Sequence, residues 1–198
     1  IAHHMNAEHA ALEQMRRNID AWRPHLEADA DALVFDASGC GAVIKEYGYL
    51  LRHDPAYATA AAFVSERARD VSEVVADHLG SDIGIACDAP RDVAFHPPCS
   101  LQHGLKLGGK VEGILRRVGV TLTPVADAHL CCGSAGTYSM LQPKLSEQLL
   151  ERKLEALRAG SPREIVTANV GCQMHLARRA GLPVRHWVEL LDEVLETA

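Results

Sequence analysis

Apolar side chains recur at helical spacing in three stretches of the chain. From Glu8 to Leu26 they fall at every third or fourth position, which places them on one face of a helix. The same spacing recurs from Tyr57 to Leu79 and from Leu145 to Leu157. We therefore predict three amphipathic helices at these positions.

Short runs rich in β-branched and aromatic residues separate the helical stretches and predict β-strands. The predicted strands are 31–36 (DALVFD), 92–96 (DVAFH), 120–125 (VTLTPV), 164–168 (EIVTA) and 183–187 (PVRHW). Because strands and helices alternate along the chain, we expect an α/β fold with mostly parallel sheets.

Three cysteines directly follow predicted strands. Cys40 follows the LVF run, Cys99 follows VAF through His96-Pro97-Pro98, and Cys172 follows IVTA. The carboxyl ends of parallel strands meet at one edge of a sheet, where α/β proteins hold their ligands. We therefore expect these cysteines in loops at the C-terminal ends of strands, as parts of a ligand site.

The sequence also repeats itself at a fixed offset. Arg17 aligns with Arg152 at this offset, and Gly39-Cys40 aligns with Gly171-Cys172 after a short slip in the alignment. The chain is therefore predicted to consist of two pseudo-repeated βα units.

The repeat predicts where the units begin and end. Residues 1–88 would be the remainder of a first unit, and residues 89–198 would be a complete second unit. The counterpart of Cys131-Cys132-Gly133 would then lie just before Ile1. We therefore expect the chain to be the C-terminal fragment of a longer protein.

Composition excludes several classes of protein. Apolar residues make up 47% of the chain and the formal net charge is −6, without a stripe of Lys and Arg, so a nucleic-acid partner is not expected. No apolar run is long enough to span a membrane, and the first residues lack the pattern of a signal peptide, so any membrane contact should be peripheral. The six cysteines are therefore expected to be reduced rather than paired as a disulfide scaffold.

Four of the cysteines have the spacing of a single site. Cys99 is followed along the chain by the Cys131-Cys132-Gly133 segment, and this segment is followed by Cys172. Four thiolates suit an iron–sulfur cluster or a tetrahedral zinc ion. Gly133 and Gly136 allow the backbone to approach closely and to direct N–H groups at an anionic cluster. These residues favour an iron–sulfur centre, with zinc as the alternative.

Several stretches resemble a known family. HPPCSLQH, HLCCGSAGTY and TANVGCQMHL resemble the cysteine-rich CCG domain of heterodisulfide reductases and of iron–sulfur subunits of flavin-linked dehydrogenases. Six stretches in order, among them RRNIDAW, ASGCGAVIKEYG and VRHWVELL, are most similar to the iron–sulfur subunits of glycolate oxidases. This resemblance covers almost the whole chain.

The resemblance implies an electron-transfer subunit of a flavin-dependent glycolate oxidoreductase. Its cofactor would be an iron–sulfur cluster of the 4Fe–4S type, and FAD would be bound by partner subunits. Electrons would pass from the reduced flavin to a quinone or another acceptor. Such a chain would carry electrons without performing the substrate chemistry, and it would be cytoplasmic, with peripheral association at the inner face of the cell membrane.

The chain departs from the fuller family motif, which usually ends CxxC. His175 stands at the last position after Cys172, and Val43 stands at the same position after Cys40. A four-ligand cluster is therefore favoured, and His175 is a candidate replacement ligand because imidazole also ligates iron–sulfur clusters. Cys40 is a candidate ligand of the first unit, while His96 and His129 could act beside the ligands.

Other interpretations remain open at this point. The four cysteines could be small buried hydrophobic residues, or they could hold zinc in a structural module for subunit assembly. The heterodisulfide reductase resemblance raises the further hypothesis of thiol–disulfide chemistry, and a lactate-oxidising complex is an alternative to a glycolate-oxidising one. Cys87 has no counterpart in the repeat and is expected to be structural.

Overall fold

The computed structural model describes residues 2–3, 5–80 and 92–196. The chain divides into two compact units, Ile1–Val71 and Ser72–Ala198. The predicted boundary between residues 88 and 89 lies outside the described residues, and the assignment of the units as two repeats remains a proposal. Each unit is described separately below.

The first unit contains a two-stranded parallel sheet. Its elements are α1 (Glu8–Ala28), β1 (Leu33–Phe35), α2 (Ser38–Lys45), α3 (Tyr47–Leu50), α4 (Ala58–Arg67) and β2 (Ala68–Asp70). Leu33 of β1 lies opposite Ala68 of β2. The predicted helix from Glu8 is confirmed, and its apolar stripe buries Met15 and Ile19 in the core of this unit.

The second unit contains a four-stranded parallel sheet. Its elements are α5 (Val71–His78), β3 (Asp92–His96), a π-helical turn (Ser100–Gly104), α6 (Lys110–Arg117), β4 (Thr121–Leu122), α7 (Tyr138–Leu141), α8 (Pro143–Arg158), β5 (Glu164–Thr167), α9 (Val170–Ala177), β6 (Val184–His186) and α10 (Trp187–Glu196). The strand order is β4-β3-β5-β6, and every pair is parallel. The predicted α/β class is confirmed.

The predicted helix from Tyr57 to Leu79 is wrong in its middle. The chain leaves α4 at Arg67, forms β2, and returns to a helix at Val71. Ala68 is fully buried where it pairs with β1, so sheet pairing overrides a helical periodicity that continues on both sides of the strand. Strand β2 is only three residues long, so the apolar pattern of the sequence does not reveal it.

The core of the second unit forms where α8 packs on the sheet. Leu150, Leu154 and Leu157 lie on the buried face of α8 and pack in one cluster with Ile165 of β5. Helical spacing of these leucines is what the sequence predicts for this stretch. Among the described helices, none combines the length and the apolar character needed to cross a bilayer.

The sheet order creates a crevice at the carboxyl ends of its two central strands. The connection that leaves β3 leads to β4 on one side of the central pair. The connection that leaves β5 leads to β6 on the opposite side. Connections that leave two adjacent parallel strands in opposite directions open a crevice between them, which is where open α/β sheets bind ligands. Here the crevice lies beyond His96 and Thr167, which are paired in register.

Candidate metal centre

Two of the predicted site cysteines come from the central strands. Cys99 lies shortly after the end of β3, immediately before the π-helical turn. Cys172 lies shortly after the end of β5. The Thr167 hydroxyl donates a hydrogen bond of 3.0 Å to the carbonyl of His96, which ties these two strand ends together. The sheet therefore delivers both thiols to one edge.

The prediction that the cysteines lie in loops needs correction for Cys172 and Cys40. Cys172 is the third residue of α9 and Cys40 is the third residue of α2. Asn169 begins α9 because its side chain accepts hydrogen bonds from the N–H groups of Gly171 (2.9 Å) and Cys172 (3.4 Å). The capped first turn of α9 therefore fixes the backbone of Cys172 close to the carboxyl end of β5.

The CCG segment is an irregular loop shaped by Gly133. This glycine has φ of +93°, and a Cβ atom there would stand 2.5 Å from the carbonyl oxygen of Ser146. The Ser146 hydroxyl donates a 2.8 Å hydrogen bond to the Gly133 carbonyl. The N–H of Gly133 donates to Cys131 Sγ at 3.3 Å. The loop therefore requires glycine at this position and directs a backbone donor at a sulfur atom.

Side chains from neighbouring helices hold the rest of this loop. Lys153 is buried on α8, and its ammonium group donates to the carbonyls of Asp127 (2.9 Å) and Ala128 (3.2 Å). The Ser134 hydroxyl donates to the carbonyl of Gly171 at 3.1 Å, which joins the loop to the first turn of α9. The loop is thus fixed between α8 and α9.

The four predicted cysteines come together in this crevice. Cys131 forms sulfur hydrogen bonds with Cys99 and Cys132, and Cys132 also bonds to Cys172. Cys132 and Cys172 are buried, Cys131 is half-buried and Cys99 is exposed. Three separate segments of the chain therefore place four thiols in one connected group that reaches from the core to the surface.

Hydrogen bonds among the thiols divide them into two kinds. Bonds donated by Cys132 and Cys99 lower the pKa of Cys131 to about 2. A bond from Cys132 lowers the pKa of Cys172 to about 6, and the neighbouring His96 imidazole acts in the same direction against the effect of burial. The bonds to Cys131, together with burial, raise the pKa of Cys99 and of Cys132. Metal binding would have to displace protons from these last two thiols.

His96 stands beside the thiols, at the end of β3. A ring nitrogen of His96 and the sulfur atoms of Cys132 and Cys172 all lie within 4.8 Å of one another. The side chain is fully buried, and neither ring nitrogen makes a hydrogen bond of ordinary geometry with the described residues. Sequence reasoning placed His96 beside the site but gave it no ligand role, because nothing in a strand residue shows which way its ring points.

His175 lies near the loop, but its ring nitrogens face other groups. Its Nε2 lies 3.3 Å from the Ser146 hydroxyl, and its Nδ1 lies 3.4 Å from the guanidinium of Arg178. Burial, and then the positive charge of Arg178, lower the pKa of His175. Its predicted ligand role remains untested, as does the role of Gly136, which has φ of +59° and open space where a Cβ would stand.

The remaining cysteines lie elsewhere. Cys40 belongs to the first unit, where it is exposed on the first turn of α2. Its predicted ligand role in the first unit is not tested by the structure. Cys87 lies outside the described residues. The candidate centre is therefore built entirely from residues of the second unit.

The residues present fit a soft metal centre. Four thiols and one imidazole are the donor types that hold iron–sulfur clusters and zinc. The two unpartnered nitrogens of a fully buried imidazole are a second sign, because buried polar atoms normally have partners. The backbone N–H that Gly133 donates to Cys131 Sγ is a third.

Comparison with known proteins agrees with this arrangement. Residues 93–177 match the family described as the CCG cysteine-rich domain, and this range contains the whole group of thiols and His96. The chain belongs to the CCG cysteine-rich domain family. The matched range begins in β3 and ends with α9, so the CCG domain signature coincides with the crevice and the elements around it.

Similar proteins in bacteria carry related names. The chain is 49% identical to the glycolate oxidase iron–sulfur subunit of Escherichia coli over 99% of its length and 48% of that protein. It is 32% identical to the probable glycolate oxidase iron–sulfur subunit of Bacillus subtilis over 98% of its length and 44% of that protein. The chain therefore spans about half the length of these curated relatives.

A further relative is covered more completely. The chain is 30% identical to the lactate utilization protein A of Geobacillus thermodenitrificans over 92% of its length and 76% of that protein. The resemblance inferred from the cysteine motifs is thus confirmed at the level of the family. Sequence reasoning did not identify Asn169, Ser146 and Lys153 as supports of the site, because the backbone atoms that they contact are not marked by any residue type.

Proposed function

We propose that this chain is the cluster-binding part of an iron–sulfur electron-transfer subunit. The observation that carries the proposal is the convergence of Cys99, Cys131, Cys132 and Cys172 from three segments onto one sheet edge. Four thiolates are the common ligand set of a 4Fe–4S cluster. When bound, such a cluster takes up and releases single electrons.

The residues around the thiols would adjust the properties of the centre. The Gly133 N–H donates to Cys131 Sγ, and hydrogen bonds to ligand sulfurs raise a cluster's reduction potential. Cys132 and Cys172 are buried, while Cys99 is exposed. The centre would therefore be shielded on its inner side and would approach the surface at Cys99, which is the side from which an electron could enter or leave.

The names of the relatives suggest the physiological reaction. Two of them are named as iron–sulfur subunits of glycolate oxidase. We propose that flavin-binding partner subunits with FAD oxidise glycolate, and that this subunit passes the electrons to a quinone or another acceptor. A cytoplasmic position with peripheral contact at the inner face of the membrane would suit a quinone. The relative named for lactate utilization favours lactate as the second candidate substrate.

Metal analysis of the complete protein tests the cofactor. Protein purified without oxygen should contain iron and acid-labile sulfide in comparable amounts, and its visible absorption should bleach with dithionite. A colourless protein with stoichiometric zinc and no sulfide would refute the proposal. Zinc is the second candidate because His96, Cys132 and Cys172 form a compact nitrogen–sulfur group, which is typical of zinc sites.

A single substitution tests the electron-transfer role. In the assembled complex, Cys132→Ser should abolish electron transfer to the acceptor while flavin reduction by glycolate continues. Met174→Leu is the matched control, because this exposed residue lies on α9 close to Cys172 and should leave both steps unchanged. Loss of flavin reduction in Cys132→Ser, with the complex still assembled, would contradict an electron-transfer role.

A further inference from the structure

The end of β3 places a histidine among the thiols. His96 is the last residue of the strand, and its side chain is fully buried. Its carbonyl accepts a hydrogen bond from Thr167, and its backbone is paired with β5, so the position of the residue is fixed by the sheet. The sheet therefore fixes the backbone of His96 at the edge from which the ligand cysteines emerge.

The His96 ring interacts with the Cys172 thiol, whose pKa it lowers, but its nitrogens lack partners of ordinary hydrogen-bond geometry among the described residues. Neither Nδ1 nor Nε2 makes a hydrogen bond of ordinary geometry with the described residues. Leaving a buried polar atom without a partner is unfavourable, because the atom loses its hydrogen bonds to water and gains none in return. A group that binds one of these nitrogens would remove this penalty, and two soft sulfur ligands lie within 4.8 Å of one of them.

The spacing of these atoms suits coordination. Two ligand atoms on one tetrahedral metal ion, with bonds of about 2.0–2.3 Å, stand roughly 3.5 Å apart. A nitrogen of His96 and the sulfurs of Cys132 and Cys172 lie within 4.8 Å of one another, so the imidazole stands within reach of a metal that these two thiols bind. No other group of three histidine, cysteine or acidic side chains in the described part of the chain has this spacing.

We infer that His96 is a nitrogen ligand of the metal centre beside Cys132 and Cys172, and that it takes one of the four ligand positions in place of one of the other two thiols. The inference rests on the proposed function for the identity of the metal. It differs from the ligand role predicted for His175, whose ring nitrogens face Ser146 and Arg178. A neutral imidazole beside thiolates gives a mixed nitrogen–sulfur set, which raises the reduction potential of an iron–sulfur centre relative to an all-cysteine set.

Nitrogen spectroscopy on the complete protein tests this ligand directly. With ¹⁵N-labelled histidine, the reduced paramagnetic centre should show a strong histidine nitrogen coupling in pulsed electron paramagnetic resonance. The coupling should be lost in His96→Gln and retained in His175→Gln, which is the matched control. Retention in His96→Gln, or loss in His175→Gln, would overturn the inference.

If His96→Gln does not fold, the histidine coupling can still be measured in the wild-type protein and in His175→Gln. Absence of any histidine coupling, with iron and sulfide present, would overturn the inference and leave the proposed function intact. A coupling that persists in His175→Gln would support it. If the protein holds zinc and no sulfide, the proposed function fails; X-ray absorption at the zinc edge should then show histidine scattering, and a pure sulfur shell would overturn the ligand role.

Discussion

The strand–helix junctions β1–α2 and β5–α9 place a cysteine in the same way but give it different surroundings. In both junctions the cysteine is the third residue of the helix that follows the strand. Cys172 is 8% exposed and lies against Cys132 and His96. Cys40 is exposed, and the metal-compatible group found among the described residues does not include it.

The difference shows that the fold supplies the position and the connecting loop supplies the site. A parallel strand followed by a helix is enough to present a thiol at the sheet edge. Conversion of that thiol into part of a centre depends on the CCG loop, which brings Cys131 and Cys132 against it. The expectation that a counterpart of this loop precedes Ile1 stays a prediction.

The largest expected difference is between the variants Cys172→Ser and Cys40→Ser of the complete protein. Cys172→Ser should abolish the centre of the second unit, because it removes a buried thiol from a connected ligand group. Cys40→Ser should leave the spectroscopic signal of that centre unchanged. Iron content and low-temperature electron paramagnetic resonance of both variants would measure this. Equal loss of the same signal in both variants would contradict the conclusion that only Cys172 belongs to this centre.

Glycine substitution in the CCG loop should have the next largest effect. Gly133→Ala introduces a side chain at a positive φ, which costs about 1–2 kcal/mol, and forces it against a backbone carbonyl, which costs about 1–3 kcal/mol more. Gly136→Ala has only the positive φ, because nothing stands within 4 Å of its Cβ position. Denaturant unfolding and iron retention should both rank Gly133→Ala as the more damaging change. Equal damage would show that the Ser146 contact is unimportant.

The sequence was sufficient to predict the strands and helices of the scaffold, but it was insufficient to predict the contacts inside the site. Strands β3 and β5 and the cysteines after them could be predicted, because periodic apolar runs and turn positions are local signals. The short strand β2 could not, because its residues are fixed by pairing with β1. The place of His96 among the thiols depends on strand order and side-chain direction, and neither is encoded locally.

Helices α1 and α8 offer a third comparison, at positions that align in the repeat. Lys153 of α8 aligns with Asn18 of α1 at the same offset that pairs Arg152 with Arg17. Lys153 donates to two carbonyls ahead of the CCG loop, whereas Asn18 donates to the Tyr47 hydroxyl at 2.9 Å. Of these two aligned positions, only the one beside the thiols therefore carries a positively charged side chain, Lys153.

Replacing this lysine should weaken the loop and alter the centre. Lys153→Met should destabilise the fold by about 1–3 kcal/mol, because two carbonyls lose a charged donor. It should also lower the reduction potential, by roughly 60 mV for each 1.4 kcal/mol of lost charge stabilisation. Lys144→Met, exposed on the same helix, is the control for redox titration. Equal reduction potentials in the two variants would show that the charge of Lys153 does not influence the centre.

The smallest expected effect concerns the caps of the two compared helices. Asn169 and Ala37 both adopt extended backbone before their helices, but only the Asn169 side chain accepts hydrogen bonds from the first turn. Asn169→Ala should therefore cost about 1 kcal/mol, and Ala37→Asn should stabilise α2 by a similar or smaller amount.

Amide hydrogen exchange can measure these two changes locally. The N–H groups of Gly171 and Cys172 lose their acceptor in Asn169→Ala, so their protection should fall about fivefold, which corresponds to roughly 1 kcal/mol. In Ala37→Asn, protection of the Gly39 amide should rise, because the new side chain can accept from this position of α2, whereas the Cys40 amide already donates to the Ala37 carbonyl at 2.9 Å. If Asn169→Ala leaves protection unchanged, the cap does not hold Cys172 in place. The two junctions would then differ only in the loop that reaches them.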